Sequence, residues 1–390
     1  MSGAAPGRAG GPAAARPRVL IVEPTASGGL AAHVRMEREV LQAGGAVPVD
    51  AAVRIPSRPS PRDLVTVRRL RTAMHRGGGP DGVEAVHAHG LRAGALAALA
   101  RGGRPRRPRL VVTLHNRVDG PLPLRVIGRA LLATIRRRAD VVLTVSPDLD
   151  ALVRGVAALE HAIIPAPSGQ GSGSAAEERP PARAGAGARP PEGETAEEGS
   201  PAARTLEVLT VGRLAPQKGL DDLLDAVAHI GRVPAAPRVH VSIAGDGPLE
   251  PHLRSRITTE GLPVTLLGRR EDVPALLREC QVVVSAALWE GQPVFLQEAL
   301  QAGRAVVATD AGGTRWVTGD AARLVEVGDT RALAQEILAM ADPGARGRAA
   351  DASLARAREL PGPGELARQL SDVLGIALSD PSRRERGGAV

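Results

Sequence analysis

The sequence predicts an α/β protein made of two doubly wound, Rossmann-like domains. Three observations predict it. Short apolar runs recur along the chain, each ending in a glycine- or histidine-containing turn and leading into a helical period. Residues 166–204 interrupt that alternation with Gly, Ser, Ala, Pro, Glu and Arg and no apolar period, a stretch too long for a compact connection. The length of 390 residues suits two domains of ordinary size. The expected division is a tail at 1–17, a first domain at 18–165, a linker or insertion at 166–204, a second domain at 205–341, helices at 342–380 and a tail at 381–390.

The first strand is Arg18-Val19-Leu20-Ile21-Val22, followed by Ser27-Gly28-Gly29 and a helix with Leu30, Val34, Val40 and Leu41 near one face. Strand, glycine loop and helix open many nucleotide-binding domains, and Gly28 and Gly29 would let backbone approach a phosphate or sugar. An ordinary tight turn uses the same residues. The alternation continues through 46–53, a basic helix over 61–75, and 83–86, which leads to His87-Ala88-His89-Gly90 and a helix to Leu99. Next come the strand Leu110–Leu114 ending at His115-Asn116, an arginine-rich helix over 125–138, and a strand over 139–145. Histidines thus fall at two successive strand ends. They form a candidate rim, or they are structural; zinc lacks a third and fourth ligand at a recognisable spacing.

The second sheet opens with Leu206–Val211 and the turn Gly212-Arg213-Leu214-Ala215-Pro216-Gln217-Lys218-Gly219. An Arg and a Lys at a strand–helix turn, near backbone N–H groups and a positive helix end, suit a diphosphate. Strands over 239–244 and 264–267 follow, the first capped by Gly245-Asp246-Gly247. The apolar run Gln281–Ser285 leads through Trp289-Glu290-Gly291-Gln292-Pro293 into a helix carrying Glu298, with Pro293 expected at the first helical position. Two carboxylates beyond the carboxyl end of a strand lie where open α/β sheets bind ligands, although two solvated acids would read the same way.

Composition narrows the function classes. The cores must be built from Ala, Val, Leu and Ile, because the chain has no Tyr, one Phe and two Trp. Lys218 is the only lysine among 50 basic residues, which singles out a compact ammonium at that turn. One cysteine, Cys280, cannot form an internal disulfide, which points to a reducing compartment, and a small buried hydrophobe is its simplest role. Residues 1–165 hold 25 Arg against 12 Asp and Glu, a basic half that attracts anionic partners. Without aromatic platforms among those arginines, single-stranded nucleic acid is disfavoured. No run approaches 18 apolar residues, so no transmembrane helix is expected. The arginine-rich helices suit an anionic membrane surface, or are a basic solvated face inflated by composition.

The ordered set GRLAPQKG, AGDGPL, LLGRREDVPALL, SAALWEGQPVFLQEALQAG and ATDAGG resembles glycosyltransferase family 4 over about residues 205–341, with a weaker likeness over 18–165 through the Gly-Gly loop, HAHG and TLHN. The resemblance implies the GT-B fold, two Rossmann-like domains facing a cleft, with a terminal helix crossing back to brace the first. It implies that Arg213, Lys218, Gly28 and Gly29 hold the donor diphosphate, and that Glu298, with Gly245 and Gly247, serves the ribose and nucleotide. It further implies that Glu290 and His115 lie at the transferred sugar. The implied activity is a retaining, metal-independent transfer of a hexosyl-type sugar from a nucleotide sugar, with no cofactor. The acceptor would be a glycan, lipid-linked or small molecule, and the enzyme would be cytoplasmic, or peripheral at the inner face of the cell membrane. Two departures stand out. Pro165-Ala166-Pro167 replaces the family's Pro-Asn-Gly turn, and Trp316 stands where the family usually has Glu. A nucleotide-sugar epimerase and a non-catalytic nucleotide-sugar binder are the other readings.

Overall fold

The computed structural model describes residues 16–25, 29–53, 55–56, 60–75, 82–102, 107–118, 121–167 and 205–379. Gly28 and residues 168–204 lie outside that set. The first sheet holds β1 (Arg18–Val22), β2 (Val47–Asp50), β3 (Ala85–His89), β4 (Arg109–Leu114), β5 (Val141–Thr144) and β6 (Leu159–His161), in the order β2-β1-β3-β4-β5-β6 with every pair parallel. Its helices are α1 (Gly29–Ala43), α2 (Asp63–His75), α3 (Leu91–Arg101) and α4 (Leu122–Arg138). Strands such as β3 and β5 are buried along their whole length, as expected of parallel strands covered on both faces.

The second sheet holds β7 (Leu206–Val211), β8 (Val239–Ala244), β9 (Val264–Gly268), β10 (Val282–Ser285), β11 (Ala305–Thr309) and β12 (Ala322–Val325), in the order β12-β11-β10-β7-β8-β9, again all parallel. Around it lie α5 (Leu220–Gly231), α6 (Glu250–Glu260), α7 (Val273–Glu279), α8 (Val294–Gln301), α9 (Thr314–Thr318), α10 (Thr330–Ala339) and α11 (Pro343–Ala357). Strand order reverses between β1 and β3 in one sheet and between β7 and β10 in the other. A crevice outside the strand ends opens at each such point, so the topology fixes two places to look for chemistry.

The chain ends in α12 (Pro363–Leu374), whose Leu366, Leu370, Val373 and Leu374 are buried in the core of the first sheet. Each such side chain contributes about 1.5–3 kcal/mol. Arg109 Nε donates to Val373 O at 2.6 Å, and the Gln369 side chain bonds Ile163 N and His161 O, both at 2.8 Å. Of the helices expected over 342–380, only α12 does this; α11 packs on α8 and β11 of the second sheet.

Other details depart from the sequence reading. Pro293 flanks α8 instead of opening it, because its ψ of 95° is not helical. β2 is shorter than 46–53, and α4 starts at Leu122, before Arg125. β6 and β12 have no clear apolar alternation and were not foreseen. Arg16 is not in a free tail, since its Nε donates to Gly45 O at 2.9 Å.

Candidate active site

At the β7/β10 reversal the turn after β7 faces the loop after β10. The turn holds Arg213 and Lys218, and the loop holds Glu290. Lys218 Nζ meets Glu290 Oε1 at 2.5 Å, with a quarter of the lysine side chain exposed. The turn forms as it does because Gly219 takes a left-handed φ of 59°, and a Cβ there would sit 1.9 Å from Ala286 O. That approach presses the lysine turn against the loop carrying the glutamate. Arg213 is exposed and has no partner among the described residues. The arrangement therefore offers one paired and one unpaired cation at a crevice mouth, the charge pattern a diphosphate requires.

Glu298 lies one helix turn into α8, half-buried and with no partner among the described residues. Burial alone pushes its carboxyl up to about 7. A carboxylate desolvated without a compensating donor is suited to accept hydrogen bonds from a ligand diol. Gly245 and Gly247 sit beyond β8. A Cβ on Gly245 would lie 1.9 Å from Gly212 O, and one on Gly247 would lie 2.4 Å from Leu214 O. Their glycine character is explained by this backbone contact, which shapes the Arg213–Lys218 turn.

The loop carrying Glu290 also touches the first domain. Trp289 Nε1 donates to Asp148 Oδ2 at 2.8 Å. Gln297 accepts from Ala166 N at 3.2 Å and donates to Ile164 O at 2.9 Å, while Gln292 bonds Ala162 O and Ile164 N. Two glutamine side chains thus satisfy the backbone where the chain leaves the first domain, at the point where Pro165-Ala166-Pro167 departs from the family turn. Ala166 is buried at this seam, one residue past the expected boundary at 165. Trp316 reaches the same seam, its ring centroid 5.0 Å from that of His161.

At the β1/β3 reversal, Gly29 begins α1 and nothing crowds its Cβ position. His115, just past β4, is half-buried and lies near neither Lys218 nor Glu290 in any hydrogen bond or ion pair; its Nε2 is 3.2 Å from His89 Nδ1. Behind it are His33, Glu37, His87 and His89, all buried. Glu37 Oε1 bonds His87 Nδ1 at 2.7 Å, and His87 Nε2 bonds Thr113 Oγ1 at 2.7 Å. Burial lowers His115 and His89 below the usual imidazole range and takes His33 to about 3, while the neighbouring imidazoles hold Glu37 well below the carboxylate range.

Sequence reasoning missed His33 and Glu37. The signal was present: both fall on the apolar stripe of α1 with Val34, Val40 and Leu41, where a histidine and a glutamate four residues apart must meet a buried partner.

The geometry can be set beside known proteins. Residues 205–342 match the family described as "Glycosyl transferases group 1", and residues 13–165 match "Glycosyltransferase Family 4". The alpha-D-kanosaminyltransferase of Streptomyces kanamyceticus is 32% identical over 127 residues, 32% of this chain and 31% of the relative. The lipopolysaccharide core biosynthesis mannosyltransferase LpsB of Rhizobium meliloti is 31% identical over 153 residues, 36% of this chain and 43% of LpsB. The matches to these relatives therefore span less than half of their length. Among solved structures, Anabaena HepE in complex with UDP and glucose superposes with a TM-score of 0.68 at 18% identity, over 92% of this chain and all of HepE. Sucrose-phosphate synthase from Thermosynechococcus elongatus gives 0.69 at 19% identity, over 96% of this chain and 100% of that one. These two likenesses establish the fold as GT-B, and the two family matches, one on each domain, place the chain in glycosyltransferase family 4.

Proposed function

We propose that the protein is a retaining glycosyltransferase that moves a hexosyl-type sugar from a nucleotide-diphosphate sugar to an acceptor. The observation that carries this reading is the Lys218–Glu290 pair at the β7/β10 reversal, in the loop that leads into α8, where Glu298 has no partner among the described residues. A donor diphosphate competes with Glu290 for Lys218 and recruits the free Arg213. Release from the lysine turns Glu290 toward the sugar hydroxyls or the developing positive charge at the anomeric carbon, and Glu298 accepts the ribose diol. Arg213, Lys218 and the helix ends stabilise the departing nucleotide diphosphate, so the chemical step takes no divalent ion and no cofactor. His115 and the Gly29 loop approach the sugar from the other domain, and Gly245 and Gly247 hold the nucleotide-side turn.

The acceptor class follows from α4. Leu122, Leu124, Val126 and Ile127 are exposed there beside Arg125 and Arg129, an apolar and basic face suited to an anionic membrane surface and a lipid-linked acceptor. No helix among the described residues is long and apolar enough to cross a membrane. The deciding experiment is nucleotide diphosphate release over a panel of nucleotide sugars, with and without lipid-linked, glycan and small-molecule acceptors. Acceptor-dependent release with the donor's anomeric configuration kept in the product is expected. Release or isomerisation of donor without acceptor, or no turnover of any donor, would sink the reading. Added Mg²⁺ or Mn²⁺ should leave the rate within about twofold.

A further inference from the structure

Behind His115, three buried polar atoms converge without a hydrogen-bond partner: His33 Nδ1, Glu37 Oε2 and His89 Nε2. One ligand atom on each of these three residues lies within 4.8 Å of the other two, and the residues are exposed by no more than 6%. A buried polar group left unpaired costs about 1–3 kcal/mol, and native folds carry few of them. Three at one point call for something that satisfies them together. Glu37 Oε2 and His89 Nε2 stand 2.8 Å apart, yet neither completes a hydrogen bond of ordinary geometry. Two neighbouring ligands on one ion have this relation; with bonds of about 2.0–2.2 Å, such a separation subtends roughly a right angle at the ion.

Charge leads to the same place. Glu37 is completely buried, and no Arg or Lys pairs with it among the described residues. Its neighbours are imidazoles, and Glu23, the other acid that acts on His89, is already paired with Arg38 at 2.9 Å. A buried carboxylate needs a compensating positive charge, which His87 supplies only if protonated and a bound cation supplies in any case. The surroundings also resemble the outer shell of a metal site, in which each ligand's second polar atom is anchored. Glu37 Oε1 is held by His87, which Thr113 holds in turn, and His89 Nδ1 faces His115.

We propose that His33, Glu37 and His89 bind one borderline divalent cation of the Zn²⁺ class, its remaining positions open to water. Two imidazoles and a carboxylate are a donor set for first-row transition ions, not for Mg²⁺ or Ca²⁺, which prefer oxygen alone. The ion sits in the first domain, away from the Lys218–Glu290 crevice, and the inference stands whether or not the protein transfers sugar. With the ion on its Nε2, His89 presents Nδ1–H as a donor to His115 Nε2. A metal-free row of hydrogen bonds requires the reverse, with Nε2–H on His89 directed at Glu37. The two arrangements therefore fix opposite tautomers of His115.

The test uses the full chain, refolded after EDTA treatment, with Zn²⁺ or Co²⁺ and then gel-filtered. Elemental analysis should find about one ion per chain in the wild type and close to none in His33→Asn and Glu37→Gln. His87→Gln should weaken binding about 10–100-fold. His252→Ala removes an exposed histidine paired with Asp221 and should change nothing. Bound Co²⁺ should show ligand-field bands without the thiolate charge-transfer band that Cys280 would add. If the His33 and Glu37 variants fail to fold, ¹⁵N spectra of the wild-type imidazoles still decide, with metal on His89 Nε2 and a proton on Nδ1 expected. An empty wild type, equal occupancy in the His33 and Glu37 variants, or a protonated Nε2 on His89 in the Zn²⁺-treated protein would overturn the proposal.

Discussion

The two crevices are built from the same topology and hold opposite kinds of charge. In the first domain Glu37 is fully buried among histidines; in the second, Glu290 shares a partly exposed pair with Lys218, and Glu298 has no partner among the described residues. A carboxylate sealed in a core acts on the fold, because removing its partners leaves groups that water cannot reach. A carboxylate at a half-open mouth acts on ligands, because water screens it until a ligand displaces that water. The largest expected effect breaks this contrast directly. Glu37→Ala should destabilise the first domain by about 3–5 kcal/mol, whereas Glu290→Ala should cost about 1 kcal/mol or less. Urea unfolding of both variants checks it, and comparable losses would mean that the two sites are not of different kinds.

Next in size, and read in turnover instead of stability, is Lys218→Ala. If Lys218 holds the donor diphosphate, nucleotide diphosphate release should fall about 10²–10³-fold with the melting temperature nearly unchanged. Lys218→Arg should recover little, because the ammonium folds over Gly212, where a Cβ would lie 3.3 Å from Lys218 Cε, and a planar guanidinium needs more room. Near-normal release in Lys218→Ala would remove the lysine from the site.

The second crevice was more legible in the sequence than the first, for a physical reason. Loop chemistry at strand ends is written locally: Arg213 and Lys218 lie in one turn, and Glu290 and Glu298 flank one Pro/Gly loop. The periodicity that gave β7 and β10 therefore also placed these residues. The first crevice is assembled from α1, β3 and the end of β4, and no linear spacing joins His33 and Glu37 to His89. The seam residues Gln292 and Gln297 were silent too, since a glutamine near a loop reads as solvated until its backbone partners are seen. Strand existence came from apolar runs, and β6 (Leu-Glu-His) and β12 (Ala-Arg-Leu-Val) were lost because a polar or charged residue interrupts each short segment.

The seam gives a smaller test. Gln297→Ala leaves Ala166 N and Ile164 O without their side-chain partner, in a residue only 2% exposed. It should cost about 2 kcal/mol in urea unfolding. Trp289→Phe removes the bond to Asp148 across the seam and trims a partly buried ring packed on the first core, and should cost less, about 1 kcal/mol. An equal or larger loss in Trp289→Phe would shift the weight of the seam from the glutamines to the tryptophan.

One effect in stability is gained only at high pH and is paired with an opposite effect on binding. Glu298 has its pKa raised from 4.5 to about 7 by burial alone, so the folded state disfavours its charged form. A raised carboxyl pKa contributes stability that is complete below the unfolded value of about 4.5 and is lost as pH rises through about 7. Glu298→Gln escapes that loss. The variant should match the wild type near pH 4 and exceed it above pH 7 by on the order of 1–2 kcal/mol, discounted for partial exposure. Donor binding should move the other way. The ionised carboxylate accepts both hydroxyls of a diol and a protonated one cannot, so wild-type affinity should rise as pH passes about 7, while the glutamine variant binds weakly with a flat profile. Thermal denaturation and nucleotide titration across pH 4–8.5 measure both arms on the same samples. A stability gain without a loss of nucleotide affinity would leave Glu298 as a strained helix residue with no ligand to receive.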